Sequence, residues 1–245
     1  MYTGLKSLNY PGKLIVFGLL ALVSLASTLW ILNIKLPSGR APYTFIWWNM
    51  LLAWIPAVLT IILDVCYAMK RGGARNLLLA GAGLVWLVFY PNTPYLITDM
   101  LHVFARYPFD PNERFWVATG FWNHTFAMML VSLTGLMMGG VLLDSVRQLV
   151  RRSFGWVAGV LFVVMVLLLS SFAIYIGRFI RGNSWDIVKD PVSLYNQLAE
   201  IWSAPAGKEH LLHFCGMIFA VLAAAYMLTL AASLNRKSAK GERTA

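Results

Sequence analysis

The sequence predicts an all-α fold: a polytopic membrane bundle of about six transmembrane helices, with a short interfacial amphipathic helix between the fifth and sixth. Three observations carry the prediction. The chain is 59% hydrophobic and only 12% charged, about half the charged share of a soluble domain. Six stretches are long and apolar enough to span, near 14–34, 44–64, 77–97, 115–143, 154–177 and 211–234, each close to the roughly 20 residues a bilayer requires. The connections between them are too short for a separate soluble domain, so residues 1–245 are expected to form a single integral membrane domain.

Each span has its own justification. The first follows Lys6 and Lys13 and exceeds the roughly 7–15 apolar residues of a signal peptide core, so it is expected to stay as an anchor. Pro56 predicts a kink in the second. The third closes on two prolines, Pro91 and Pro94, each of which removes a backbone donor. In the fourth, Gly135-x-x-x-Gly139 predicts close helix contact, as does Gly155-x-x-x-Gly159 at the start of the fifth. Met128, Met129, Met137 and Met138 come in adjacent pairs that point in different directions, which suits packing and lipid contact more than a copper site. Asp190 followed by Pro191 predicts an N-cap and first position, and Leu194, Leu198 and Ile201 form the stripe of the amphipathic helix. Cys66 and Cys215 are expected at opposite faces, too far apart to pair. Trp30, Trp47, Trp48, Trp116, Trp156 and Tyr90 fall near span ends, where amphipathic rings favour the interface.

Orientation follows from the basic residues. One side holds twelve of the twenty Lys and Arg residues, including the acid-free clusters Lys70–Arg75 and Arg147–Arg152. The other holds eight: Lys35, Arg40, Arg106, Arg114, Arg178, Arg181, Lys189 and Lys208. The positive-inside rule therefore places both termini in the cytoplasm. Seven of ten acids and all four histidines then fall on or near the outer side, and the cytoplasmic face reads as anchoring, with Asp64 and Asp144 at its edge. The net charge of +10 is split into short clusters with no continuous basic face, which argues against nucleic acid and for the lipid bilayer and anionic headgroups.

Two segments carry most of the chemistry. In the first, residues 91–102, helix resuming after Pro94 would bring Tyr95, Asp99 and His102 to one face, and Asn92 and Thr93 would satisfy carbonyls freed by the prolines. In the second, residues 177–186, Arg178 and Arg181 have the spacing of an anion clamp, and Asn183 and Ser184 before Trp185 and Asp186 suggest a turn and cap. Together, Pro-Asn-x-Pro-Tyr…Thr-Asp…His and Gly-Arg-Phe-x-Arg-x-Asn-Ser-Trp-Asp resemble a bacterial family of polytopic integral membrane proteins of unknown function. The resemblance implies a bacterial inner-membrane protein with no established activity. It directs attention to Pro91, Asn92, Pro94, Tyr95, Asp99, His102, Arg178, Arg181, Asn183, Ser184, Trp185 and Asp186.

Candidate ligand-binding residues are therefore Asn92, Tyr95, Asp99, Arg178, Arg181, Asn183, Trp185 and Asp186. Asp99, His102 and His124 are candidates for acid–base chemistry. His102, His124, His210 and His213 are candidate ligands for a divalent metal, because three histidines, or two with a carboxylate, suit an open zinc site. The bland alternative is polar packing, with Arg178 and Arg181 neutralising Asp99 and Asp186 in structural ion pairs. Three functions stay open: a membrane enzyme, a structural or assembly partner of another membrane protein, and a small-solute transporter built on the Pro91–Pro94 break. The transporter is disfavoured by the lack of ionisable groups in the cytoplasmic halves of the spans.

Overall fold

The structure, a computed structural model, describes residues 6–110, 112, 114–180 and 189–242, with side chains described up to residue 233. It is all-helical, and six helices are long and apolar enough to cross a membrane. In chain order these are α1 (Gly12–Asn33), α2 (Phe45–Ala68), a third built from α3 (Gly73–Phe89), α4 (Asn92–Tyr95), a 3₁₀ turn (Leu96–Met100) and α5 (Leu101–Arg106), then α6 (Thr119–Phe154), α7 (Trp156–Tyr175) and, after α8 (Pro191–Ser203), α9 (Pro205–Glu242). Short connections make successive crossings antiparallel. One end of the bundle carries Lys13, Lys70–Arg75 and Arg147–Arg152, the basic end. The other carries residues 91–106 and Arg178, the motif end.

α6 is the central helix, buried over most of its apolar length, whereas α9 and the third crossing are mainly exposed. α1, α2, the 3₁₀ turn, α7 and α9 all pack on α6. On α1 the buried positions are Phe17, Leu20, Ser24, Ser27, Thr28 and Ile31, a three-four spacing that keeps one stripe against its neighbours. The opposite face turns Ile15, Leu19, Leu22 and Leu29 to the outside, as a lipid-facing surface requires. The methionines divide by direction: Met128 and Met138 are fully buried, Met129 and Met137 exposed.

Glycine sets how closely α6 is approached. A Cβ on Gly135 would lie 2.6 Å from the Thr93 carbonyl oxygen and 2.8 Å from Leu96 Cβ, so the broken helix docks where α6 has no side chain. Gly139 faces Tyr90 and Pro94, and Gly140 faces Thr229 of α9. The second glycine pair behaves differently. Gly155 has φ of +92° and forms the corner between α6 and α7, a left-handed conformation that favours glycine. It is a turn residue, and only Gly159 is a contact position, against Arg151.

Several boundaries move. α6 continues through Arg147, Arg151 and Arg152 to Phe154, so the expected connection after residue 143 is helix. Hydropathy ends where polar residues begin, but a helix continues while its backbone bonds do. Tyr90 is not an interface ring: it is 2% exposed, and its hydroxyl donates to Gly139 O at 3.2 Å. The other interface aromatics, Trp30, Trp47, Trp48, Trp116 and Trp156, are exposed. α8 forms as its sequence predicts, with the Asp190 carboxylate accepting from Ser193 N–H at 3.1 Å and Pro191 in the first turn. Leu194, Leu198 and Ile201 are half-buried, and the helix packs on α9.

Candidate functional site

The site begins with the two prolines. Pro94 cannot donate to Tyr90 O, and Thr93 N–H takes that carbonyl at 3.0 Å in a tighter turn. Asn92 Nδ2 caps Phe89 O at 2.9 Å, and Thr93 Oγ1 crosses to α2, donating to Ala53 O at 2.9 Å. Helix resumes as a 3₁₀ turn over Leu96–Met100, whose three-residue period stacks Asp99 and His102. Ser132 of α6 donates to Leu96 O at 2.9 Å, which pins this turn to the central helix.

Arg178 arrives from the other side. It lies in a π-helical turn, Ile176–Ile180, that ends the fifth crossing. Its Nη2 donates to Asp99 Oδ1 at 3.0 Å and to Thr98 Oγ1 at 2.5 Å, its Nη1 faces His102 Nε2 at 3.1 Å, and its guanidinium lies 4.9 Å from the Tyr95 ring centre. Tyr95, Thr98, Asp99 and His102 therefore meet around one cation. Asp99 is fully buried, and its second oxygen accepts from Asn49 Nδ2 of α2 at 2.9 Å. Asn49 belongs to the site although sequence analysis passed over it. Its signal was an amide inside an apolar span.

The hydrogen-bond direction settles the state of His102 in this pairing. Arginine has no acceptor, so Nε2 accepts and the imidazole carries its proton on Nδ1. The 3.7 Å approach of Nε2 to Asp99 Oδ1 is then proximity without an ion pair. With its Nε2 lone pair committed to Arg178, His102 has none to offer a metal from that atom.

The other histidines go elsewhere. His124 is buried on α6, with Nδ1 2.8 Å from the Tyr43 hydroxyl and its ring edge-on to Tyr107. His210 lies against Tyr175 and Phe179. His213 is exposed, with its Nδ1 3.8 Å from Glu209 Oε1. The four candidate metal ligands thus face different neighbours, and among the described residues no three His, Cys, Asp or Glu side chains are grouped to hold a metal ion. Residues expected on one side of the membrane sit on three separate helices and meet different neighbours. Arg181, Asn183, Ser184, Trp185 and Asp186 lie outside the described residues, so the anion clamp and the Asp186 pairing have no structural counterpart to report.

The basic end holds a second buried cluster. Lys13 Nζ binds Asp64 Oδ2 at 2.7 Å and Ser145 Oγ at 2.6 Å, and the Tyr10 hydroxyl donates to the same carboxylate oxygen at 3.0 Å. Burial and the adjacent Asp64 carboxylate push the Tyr10 phenol well above its ordinary value. Asp64 is fully buried, and its Oδ1 has no hydrogen-bond partner among the described residues. Beside it, Asp144 is held by Arg147 at 2.5 Å and Gln148 at 2.8 Å. Asp64 and Lys13 are therefore not edge and anchor residues but an internal ion pair joining α1, α2 and α6. The pairing was hidden because the two residues are 51 positions apart.

A family model described as "Protein of unknown function (DUF1361)" matches residues 48–234, a stretch that includes both motif segments. No curated protein and no solved structure matches the chain.

Proposed function

The chain belongs to the DUF1361 family of proteins of unknown function, and from that premise we propose that it is a multi-pass protein of the bacterial plasma membrane that binds a small polar ligand at its motif end. The observation that carries this is the convergence of Tyr95, Thr98 and His102, all half-buried, with Arg178 around the buried Asp99, from two distant segments, in one polar cluster whose His102 edge is 25% exposed. Buried ionisable groups in a membrane domain are expensive and mark function by default. Arg178 sits on a π turn, a device frequent at functional sites, and its buried Nε has no partner among the described residues. The basic-residue bias supports cytoplasmic termini and an outward-facing motif end. The amphipathic α8, joined directly to the last crossing, supports an interfacial position on that same side. One membrane domain accounts for all six crossings.

The test is thermal unfolding of the detergent-purified chain against a panel of small anions and polar headgroup analogues, wild type beside His102→Ala. A ligand at 100 times its Kd adds about 2.7 kcal/mol, so a true ligand raises the midpoint of wild type and not of the variant. A panel that shifts neither protein, or both equally, rejects the site. In that case the Asp99–Arg178 pair is a clasp between the third and fifth crossings, which favours the assembly-partner function.

A further inference from the structure

Helix α9 meets the bundle along one side only. Its buried residues Leu211, Leu222 and Tyr226 turn toward the other crossings, and 11% of its apolar stretch is buried against 61% in α6. At about 100° per residue, Glu209, His213, Gly216, Ala220 and Ala224 fall within about 80° of arc on the opposite side, and all five are exposed. Met217 and Val221 stand exposed along one edge of this strip and Leu212 along the other. Between residues 216 and 224 the strip is therefore a groove floored by side chains no larger than a methyl. Nothing inside the chain uses this space: a Cβ on Gly216 would meet no atom within 4 Å, whereas Gly135 and Gly140 of α6 face Thr93 and Thr229 closely. Nor is it the pattern of a lipid-facing surface in this protein, since α7 turns Val157, Leu161, Val164 and Leu168 outward.

The motif end of the same strip selects what covers it. Glu209 and His213 are 72% and 73% exposed along their side chains, and they lie 3.8 Å apart. They border an open hollow of about 270 Å³ that Ala206, Phe214 and Met217 help to line. An acid and a base one turn apart on one face make that face self-complementary. A second copy, related by a two-fold axis along the membrane normal, presents its histidine to the acid and its acid to the histidine. The same axis sets the two α9 helices parallel, and small residues four apart let their backbones approach. Acyl chains offer Glu209 and His213 no partner. We propose that this face of α9 is the contact between two copies of the chain, a two-fold dimer closed over Gly216 and Ala220, in which Glu209 of each copy meets the partner's His213. The dimer goes beyond the ligand-binding function above and uses neither Arg178 nor Asp99.

The experiment is energy transfer between full-length copies labelled with donor or acceptor at the N-terminal amine, reconstituted in phosphatidylcholine vesicles over a range of protein-to-lipid ratios. Wild type should show transfer that rises with the ratio and varies linearly with acceptor fraction, as pairs require. Gly216→Leu and Ala220→Leu fill the groove from two positions, and each should weaken association at least about tenfold. Gly81→Leu is the control, because Gly81 of α3 also has nothing within 4 Å; it should change association less than about twofold. Glu209→Lys should weaken it about two- to fivefold, and adding His213→Glu should restore it by exchanging the two charges. Each variant is first shown to keep the wild-type unfolding midpoint in detergent. Transfer no greater than random encounter at the highest ratio overturns the proposal. So does unchanged association in both leucine variants, or an equal loss in Gly81→Leu. If Glu209→Lys has no effect, or the charge exchange does not restore association, the copies do not meet across this face. Curvature in the acceptor dependence means a larger assembly, and the two-fold contact falls.

Discussion

Replacing Arg178 by methionine isolates the central electrostatic claim. Methionine keeps an unbranched apolar stem of similar reach, so the loss is chiefly the guanidinium. Asp99, 1% exposed along its side chain, then keeps only the Asn49 bond. Breaking a buried ion pair from one side costs about 3–5 kcal/mol, because an unbalanced charge stays in low dielectric. The surviving Asn49 bond places this case near the lower end, about 3 kcal/mol, or roughly a hundredfold in the folding equilibrium. The measurement is reversible unfolding in mixed micelles by titrating a denaturing detergent, followed by tryptophan fluorescence. The double variant Arg178→Met/Asp99→Leu removes both charges and is expected to recover most of the loss, since a buried pair exchanged for apolar residues is often neutral. If the single variant lies within about 1 kcal/mol of wild type, or the double is no better than the single, then Asp99 is not buried as a charged partner of Arg178.

Other predictions follow from the same geometry. Lys13→Met leaves the fully buried Asp64 carboxylate with only the Tyr10 bond and should cost about 3–5 kcal/mol, whereas Lys6→Met should cost nothing measurable in the same unfolding assay. Gly135→Ala puts a methyl 2.6 Å from the Thr93 carbonyl and should destabilise by about 1–3 kcal/mol, while Gly81→Ala, with nothing within 4 Å, should be neutral or slightly stabilising. Burial raises the Tyr43 phenol to about 12, with Arg106 offsetting part of the effect. A raised folded value means that the stability from keeping this phenol neutral is intact below about pH 10 and is lost as pH climbs toward 12. Spectroscopic titration of wild type against Tyr43→Phe should show one tyrosinate missing at the alkaline end of the curve. Tyr43→Phe should also cost about 1 kcal/mol at neutral pH, because His124 Nδ1 loses its partner.

The sequence by itself determined the number of crossings, their order and the all-helical class, because burial in lipid demands about 20 consecutive apolar residues and that requirement is local. It also determined the break at Pro91–Pro94, the cap at Asp190 and the intramolecular role of Gly135 and Gly139, each of which depends on backbone chemistry within a few residues. Tyr95, Asp99 and His102 were legible as a group for the same reason, since helical periodicity brings them together without reference to any other element. What only the tertiary structure decided was which face of each helix meets which neighbour. That choice turned His124 toward Tyr43 and His213 outward, sank Tyr90 into the core, brought Asn49 to Asp99, and paired Lys13 with Asp64 across 51 residues. Hydropathy reports how apolar a segment is but not its rotation about its own axis. That rotation is set by close packing among six helices at once, around the glycines that let the broken third crossing and α9 reach α6.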